Sequence, residues 1–222
     1  MAGLAWYFDV TAHPLRPESQ PNASVLMGAY IAIEGGDGSG KSTVAMAVDE
    51  RLKALGYETV MVREPGSTAL GEEIRKLLLD GDHMAPWAEA LLFAAQRAQL
   101  ASEVIAPALD AGKWVISDRT YFSSVAYQGA GRGLGTETVR SINETGLEGV
   151  EPDHVFVLDL DVEVALGRQG RPDRIGGEDP SFHRAVRGAY QQLAETEPER
   201  VKIIDNTMGL DEVVAEIMGH LS

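Results

Sequence analysis

YIAIEGGDGSGKST, residues 30–43, decides how the rest of this chain is read. Tyr30–Glu34 is a short apolar run suited to a buried strand. It leads directly into Gly35-Gly36-Asp37-Gly38-Ser39-Gly40-Lys41-Ser42, which fits G-x-x-x-x-G-K-S/T without a mismatch. From Val44 to Leu55 the apolar residues recur at helical spacing, and Gly56 follows as a C-cap type residue. Strand, glycine loop and helix in that order form the context in which this motif cradles phosphate. The glycines let backbone N–H groups turn inward, and the helix aims its positive end, roughly half a charge, at the same place. Lys41 is then placed to reach the β- and γ-phosphates of a nucleoside triphosphate, and the Ser42 hydroxyl to bind Mg²⁺. Asp37 stands out, because a carboxylate inside a phosphate cradle costs electrostatic energy. Coordinating metal through water, or accepting a hydrogen bond from substrate, would give it a job; a plain Asp-Gly turn is the alternative.

Outward from this loop, strand-like and helix-like segments alternate. Glu58–Arg63, Trp114–Asp118, Val155–Asp159 and Val201–Asp205 read as further strands, giving about five. Residues 68–80, 86–111 and Asp211–Leu221 read as helices, with Leu91, Leu92, Leu100, Val104 and Ile105 as core candidates in the second of them. Such alternation predicts an α/β fold with a parallel sheet and helices on both faces. Ligands in such sheets gather at the carboxyl ends of the strands. Polar residues stand at three of those ends: Glu34, Arg63-Glu64-Pro65-Gly66 and Asp118-Arg119.

Composition narrows the functional classes. The 222 residues suit one domain, and 44% hydrophobic with 24% charged residues is an ordinary globular mixture. No apolar run approaches the roughly 18 residues of a membrane helix. With 34 acidic and 19 basic residues the net charge is −15, which argues against a general nucleic-acid partner. There is no cysteine, so disulfides, thiolate zinc sites and a cysteine nucleophile are excluded, and a reducing cytoplasm fits. The five histidines are scattered without metal-ligand spacing. Residues 1–28 carry Pro14, Pro17 and Pro21 and lack the parts of a signal peptide. They are expected to form a flexible extension, or Met27 to be the true start, with the organised domain spanning 29–222.

Three segments resemble one family: IEGGDGSGKST (33–43), VREPGSTALGEEIRKLLLD (62–80) and SDRTYFSSVAYQGAGRG (117–133). The family is thymidylate kinase, which makes thymidine diphosphate from thymidine monophosphate (dTMP) and ATP. The resemblance covers about residues 29–221, and its second and third segments are more specific than the first. It implies the three-layer P-loop nucleoside monophosphate kinase fold, with a five-stranded parallel sheet. It further implies ATP as co-substrate, Mg²⁺, a cytoplasmic location and a homodimer packed through long helices.

By the same resemblance, ATP would occupy Gly35, Gly36, Asp37, Gly38, Ser39, Gly40, Lys41, Ser42 and Thr43. Arg63, Glu64 and Pro65 look like the loop that shapes the monophosphate pocket, and Arg75 like the holder of the acceptor phosphate. Phe93 looks like the aromatic under thymine, and Arg97 like the arginine beside the base. Asp118 looks like the acid near Mg²⁺, and Arg119 like the bridge between phosphates. Ser124, Tyr127 and Gln128 look like the lining of the thymine and sugar, with Tyr127 crowding a ribose 2′-hydroxyl. Arginine's fork and a flat aromatic face suit those tasks. Read without the family, Phe93 is a core residue and Arg119 half of a structural ion pair, while Arg75 reads equally as a solvated helix arginine or a site residue.

RQGRPDRIGGEDPSFHRAVR, residues 168–187, gathers five arginines into twenty positions of an acidic chain. Pro172, Gly176, Gly177 and Pro180 make its middle a poor helix, and a lid over about 168–180 is expected. One version of the family carries its catalytic arginine inside the phosphate loop. Here Gly38 holds that position, so the chain resembles the bacterial version, in which lid arginines serve. Arg168, Arg171 and Arg174 are the candidates, with Arg174 favoured because Asp173-Arg174 fits the lid pattern best. Gly176-Gly177 departs from a family position that often carries an acid. In-line transfer with Lys41, Asp37, Arg119 and the lid arginines as catalytic residues is the expected chemistry. A kinase for another nucleotide and a switch-type NTPase are the rivals; the first would show on a panel of acceptors, the second as hydrolysis indifferent to dTMP.

Overall fold

The computed structural model describes residues 28–81 and 83–221. The expectations for the N-terminal extension and for Met27 lie outside the described residues. Five strands form one parallel sheet: β1 (Tyr30–Gly35), β2 (Thr59–Arg63), β3 (Trp114–Asp118), β4 (His154–Asp159) and β5 (Val201–Asp205), in the order β2-β3-β1-β4-β5. The glycine-loop strand is therefore central, with Ile33 opposite Asp118 on β3 and Phe156 on β4.

Period-two alternation sends β1 side chains to both faces. Ile31 and Ile33 join Ile116, Phe156 and Leu158 under helices α1 (Lys41–Ala54) and α9 (Leu210–His220). Ala32, Val155 and Val157 face the opposite core, built with α2 (Ala69–Asp80), α3 (Pro86–Leu100), α6 (Thr136–Leu147) and α8 (Pro180–Thr196). A sheet buried on both faces accounts for the near-continuous apolar strands. Caps fix several helix starts: Thr68 accepts from the Gly71 amide at 2.9 Å, and Asp179 from the Ser181 amide at 2.8 Å.

The helix expected over 86–111 is not uniform. After α3 it widens into a π-type stretch, Ala101–Ile105, and closes with α4 (Ala106–Asp110). Pro107 explains the change, since it donates no N–H and its ring would strike the carbonyl four residues back in a regular helix. Leu91, expected in the core, is instead 52% exposed. Ala90, Phe93, Arg97 and Leu100 take the inward stripe of α3, and Leu91 falls on the opposite side. A second π-type stretch, Val125–Gly131, continues the short helix α5 (Tyr121–Ser124). Helix α7 (Val162–Arg168) and α8 are joined by residues 169–179, which form no regular element. Among the described residues no helix is long and apolar enough to cross a membrane.

Candidate active site

The carboxyl ends of β1, β2 and β3 open into one cleft with a volume of about 370 Å³, within the range of small-molecule sites. Asp37, Gly38, Gly40, Lys41, Ser42 and Thr43 line one side. Arg63, Glu64, Pro65, Arg75, Phe93, Ser124, Tyr127 and Gln128 line the other, and Asp118 and Arg119 lie between. Gly35, Gly36 and Ser39 face a separate small cavity behind the loop.

Two glycines set the loop's course. Gly40 stands at the head of α1 with φ 80°, in the left-handed region where a side chain is disfavoured. Gly38 also has φ 80°, and a Cβ there would lie 2.0 Å from the Ala165 carbonyl of α7. No arginine fits at position 38 in this arrangement. Lys41 Nζ donates to the Gly36 carbonyl at 2.7 Å. Burial, and then the neighbouring Arg119, depress its pKa to about 8.

Ser42 Oγ donates to Asp118 Oδ2 at 2.5 Å, so the two predicted metal residues meet although 76 positions separate them. A hydroxyl and a carboxylate side by side are hard oxygen donors of the kind Mg²⁺ takes when substrate phosphates complete its shell. Among the described residues no cluster of three or more acidic or histidine side chains offers a self-sufficient metal site.

Arg119 is held in an unusual backbone conformation, φ 75°, of a kind that costs roughly 1–2 kcal/mol. Its amide donates to the Ile33 carbonyl at 3.0 Å. Its guanidinium pairs with Asp37, donates to the Gly35 carbonyl at 3.2 Å and to Ser123 Oγ at 3.1 Å, and lies 5.0 Å over the Tyr127 ring. Burial alone would raise the Asp37 carboxyl pKa, but Arg119, and then Lys41, outweigh it and hold the group ionised. The carboxylate in the cradle is thus occupied as the partner of Arg119.

Across the cleft, Arg75 donates to the Pro65 carbonyl at 2.7 Å, and burial followed by the nearby Arg63 lowers its pKa. Arg63 Nη2 donates to both carboxylate oxygens of Glu72, at 3.1 and 3.2 Å. Phe93 is packed in the core and also forms part of the cleft wall. Arg97 does not line the cleft. It is sealed below it, with Nε on Glu64 at 2.5 Å and the rest of its fork on Ser124, Asn143 and the Thr120 carbonyl.

The lid arginines are not at the cleft either. Arg168 and Arg171 are exposed, while Arg174 turns to Glu89 at 2.7 Å and to the Leu78 carbonyl at 3.0 Å. Their neighbours Asp173 and Ile175 do line it. Sequence reasoning passed over Ser123, Asp173 and Glu89. Ser123 sits within the quoted SDRTYFSSVAYQG segment and Asp173 beside a named lid arginine; Glu89 carries no local signal.

A family model described as thymidylate kinase matches residues 33–217. The chain belongs to the thymidylate kinase family. It is an ATP-dependent kinase of dTMP. It is 47% identical to the thymidylate kinase of Halothermothrix orenii over 199 residues, covering 86% of this chain and 95% of that one. It is 43% identical to the Chromobacterium violaceum thymidylate kinase, covering 90% and 96%. A crystal structure of thymidylate kinase from Ehrlichia chaffeensis superposes with a TM-score of 0.75 at 28% identity, covering 88% and 99%.

Proposed function

We propose that the cleft carries out this transfer with two nucleotides held phosphate to phosphate, ATP on the glycine loop and dTMP against Phe93. The observation that carries the reading is Arg119, whose fork lies between the loop's Asp37 and the Tyr127 ring on the acceptor side. Gly35 to Thr43 hold the triphosphate of ATP, with Lys41 moving from the Gly36 carbonyl to the β- and γ-oxygens. Arg75, beside Arg63, Glu64 and Pro65, receives the dTMP phosphate. Phe93 packs under thymine, and Ser124, Tyr127 and Gln128 border its edge and sugar. Arg97 acts from below by fixing Glu64 and Ser124. Ser42 and Asp118 would hold Mg²⁺, which supplies charge neutralisation at the phosphates when bound.

The moving phosphoryl group spreads negative charge over its oxygens, and positioning with electrostatics carries such chemistry. Lys41 and Arg119 provide fixed positive charge from within the cleft. Because a side chain at position 38 would collide with Ala165, the remaining charge falls to the lid. Arg168 and Arg171 are free to swing in; Arg174 must first leave Glu89. No covalent enzyme intermediate is required.

Trp87 and Leu91 of α3, with Leu70 and Leu77 of α2, are 41–56% exposed on adjoining helices. A second copy of the chain packing there gives the homodimer that the family resemblance implies, and light scattering of the purified protein tests it. A cytoplasmic location is consistent with the absence of cysteine. A coupled assay across a panel of nucleoside monophosphates, with and without Mg²⁺, tests the substrate half of the proposal. Turnover confined to dTMP, with a trace on deoxyuridine monophosphate, is expected. Equal use of a purine monophosphate would overturn the placement of Phe93.

A further inference from the structure

Glu89 is fully buried in the first turn of α3, and its carboxylate joins three parts of the molecule. Oε1 accepts from Gln128 Nε2 at 2.8 Å and from Arg132 Nε at 3.2 Å. Oε2 accepts from Arg132 at 3.1 Å and from lid residue Arg174 at 2.7 Å. Arg132 also reaches lid residue Glu178. One acid thus holds a wall residue of the acceptor pocket and both ends of the lid's last turn. Phe93, the proposed base platform, lies one helical turn further along α3.

We infer that Glu89 is a positioning residue that ties occupancy of the acceptor pocket to the arrangement of the lid. It touches neither substrate and acts through Gln128 and Arg174, so it is not itself catalytic. The inference rests on the proposed placement of dTMP beside Gln128. Arg174 anchors the root of the lid, since leaving Glu89 would strip a buried carboxylate of one of its two cationic partners. Arg168 and Arg171, which hold no such bond to α3, are the arginines able to swing toward phosphate.

The test uses the full chain with Glu89 replaced by Gln (E89Q), an isostere without charge. KM for dTMP should rise about tenfold while KM for ATP stays within twofold. Limited trypsin cleavage at the Arg168–Gln169 bond supplies a readout independent of turnover. In the unaltered protein dTMP should slow that cleavage at least threefold, and in E89Q it should have no effect. A purely structural Glu89 would lower the melting temperature but leave the KM values and the dTMP protection as they were, and that result overturns the inference. If E89Q does not fold, Arg174→Gln replaces it. Arg174→Gln removes the lid's bond to Glu89 directly; loss of dTMP protection at Arg168–Gln169 with a raised KM for dTMP is expected, and an unchanged KM with protection retained again overturns the inference. Should dTMP fail to saturate the unaltered enzyme, the acceptor site itself is misplaced; normal saturation with unresponsive variants sinks the role of Glu89 alone.

Discussion

Arg119 and Asp37 lie 82 residues apart and pair inside the phosphate cradle, with the arginine fork stacked over Tyr127. The loop's acid therefore aims the arginine. Replacing Asp37 with Asn keeps its size and removes that charge. Turnover should fall roughly 10–100-fold with the fold intact, and Arg119→Ala should lose about 10²–10³-fold, the usual effect of removing one stabilising group. Steady-state kinetics beside circular dichroism spectra check both. A fully active Arg119→Ala enzyme would remove this residue from the mechanism.

Lys41 gives the pH dependence. Its pKa is depressed to about 8, first by burial and then by Arg119. The charged form binds phosphate, so protonated Lys41 dominates below that pH and is lost above it. The ratio kcat/KM for ATP reports the free enzyme. It should fall about tenfold for each pH unit well above 8, and Lys41→Arg should abolish that limb. A flat profile to pH 10 would contradict the assignment.

Gly38 and Ala165 test which version of the phosphate loop this chain uses. A Cβ at position 38 would sit 2.0 Å from the Ala165 carbonyl, a backbone atom that cannot yield cheaply. Gly38→Arg should therefore not restore activity to a variant lacking Arg168 and Arg171. It should also lower stability by roughly 1–3 kcal/mol, the range for overpacking, as urea unfolding will report.

Arg97 and Glu64 form a buried ion pair at 2.5 Å, both almost without exposure. Burial raises the Glu64 pKa, and Arg97 works against it. Arg97→Met would leave the acid uncompensated, at a cost of about 3–5 kcal/mol. Urea unfolding should show the loss. An unchanged midpoint would mean that the surrounding Gln96, Ser124 and Asn143 can satisfy the site without a cation.

Thymine differs from uracil by one methyl group, which a base pocket at Phe93 would read for about 1–3 kcal/mol. Deoxyuridine monophosphate should accordingly be used some 5–200-fold less efficiently by kcat/KM. Phe93→Ala should raise KM for dTMP far more than KM for ATP; equal effects on both would move the base elsewhere.

The stretch from Tyr30 to Ser42 determined its own strand, glycine loop and helix, because these are local and depend on backbone geometry over thirteen consecutive residues. The alternation of five apolar strands with helices likewise fixed a parallel sheet. Helix interiors were less legible: Pro107 widens the preceding turn to a π-type stretch where periodicity alone predicts a uniform helix, and Leu91 faces outward because 3.6-residue spacing assigns one stripe and the sequence leaves open which. Tertiary structure alone decided the pairings that span the chain. Ser42 with Asp118, Asp37 with Arg119 and Glu89 with Arg174 come together only because β1, β3, α3 and the lid converge at one end of the sheet. Whether a charged side chain faces phosphate or another charge depends on which distant residue lies within about 3 Å of it, and that distance is written in the fold.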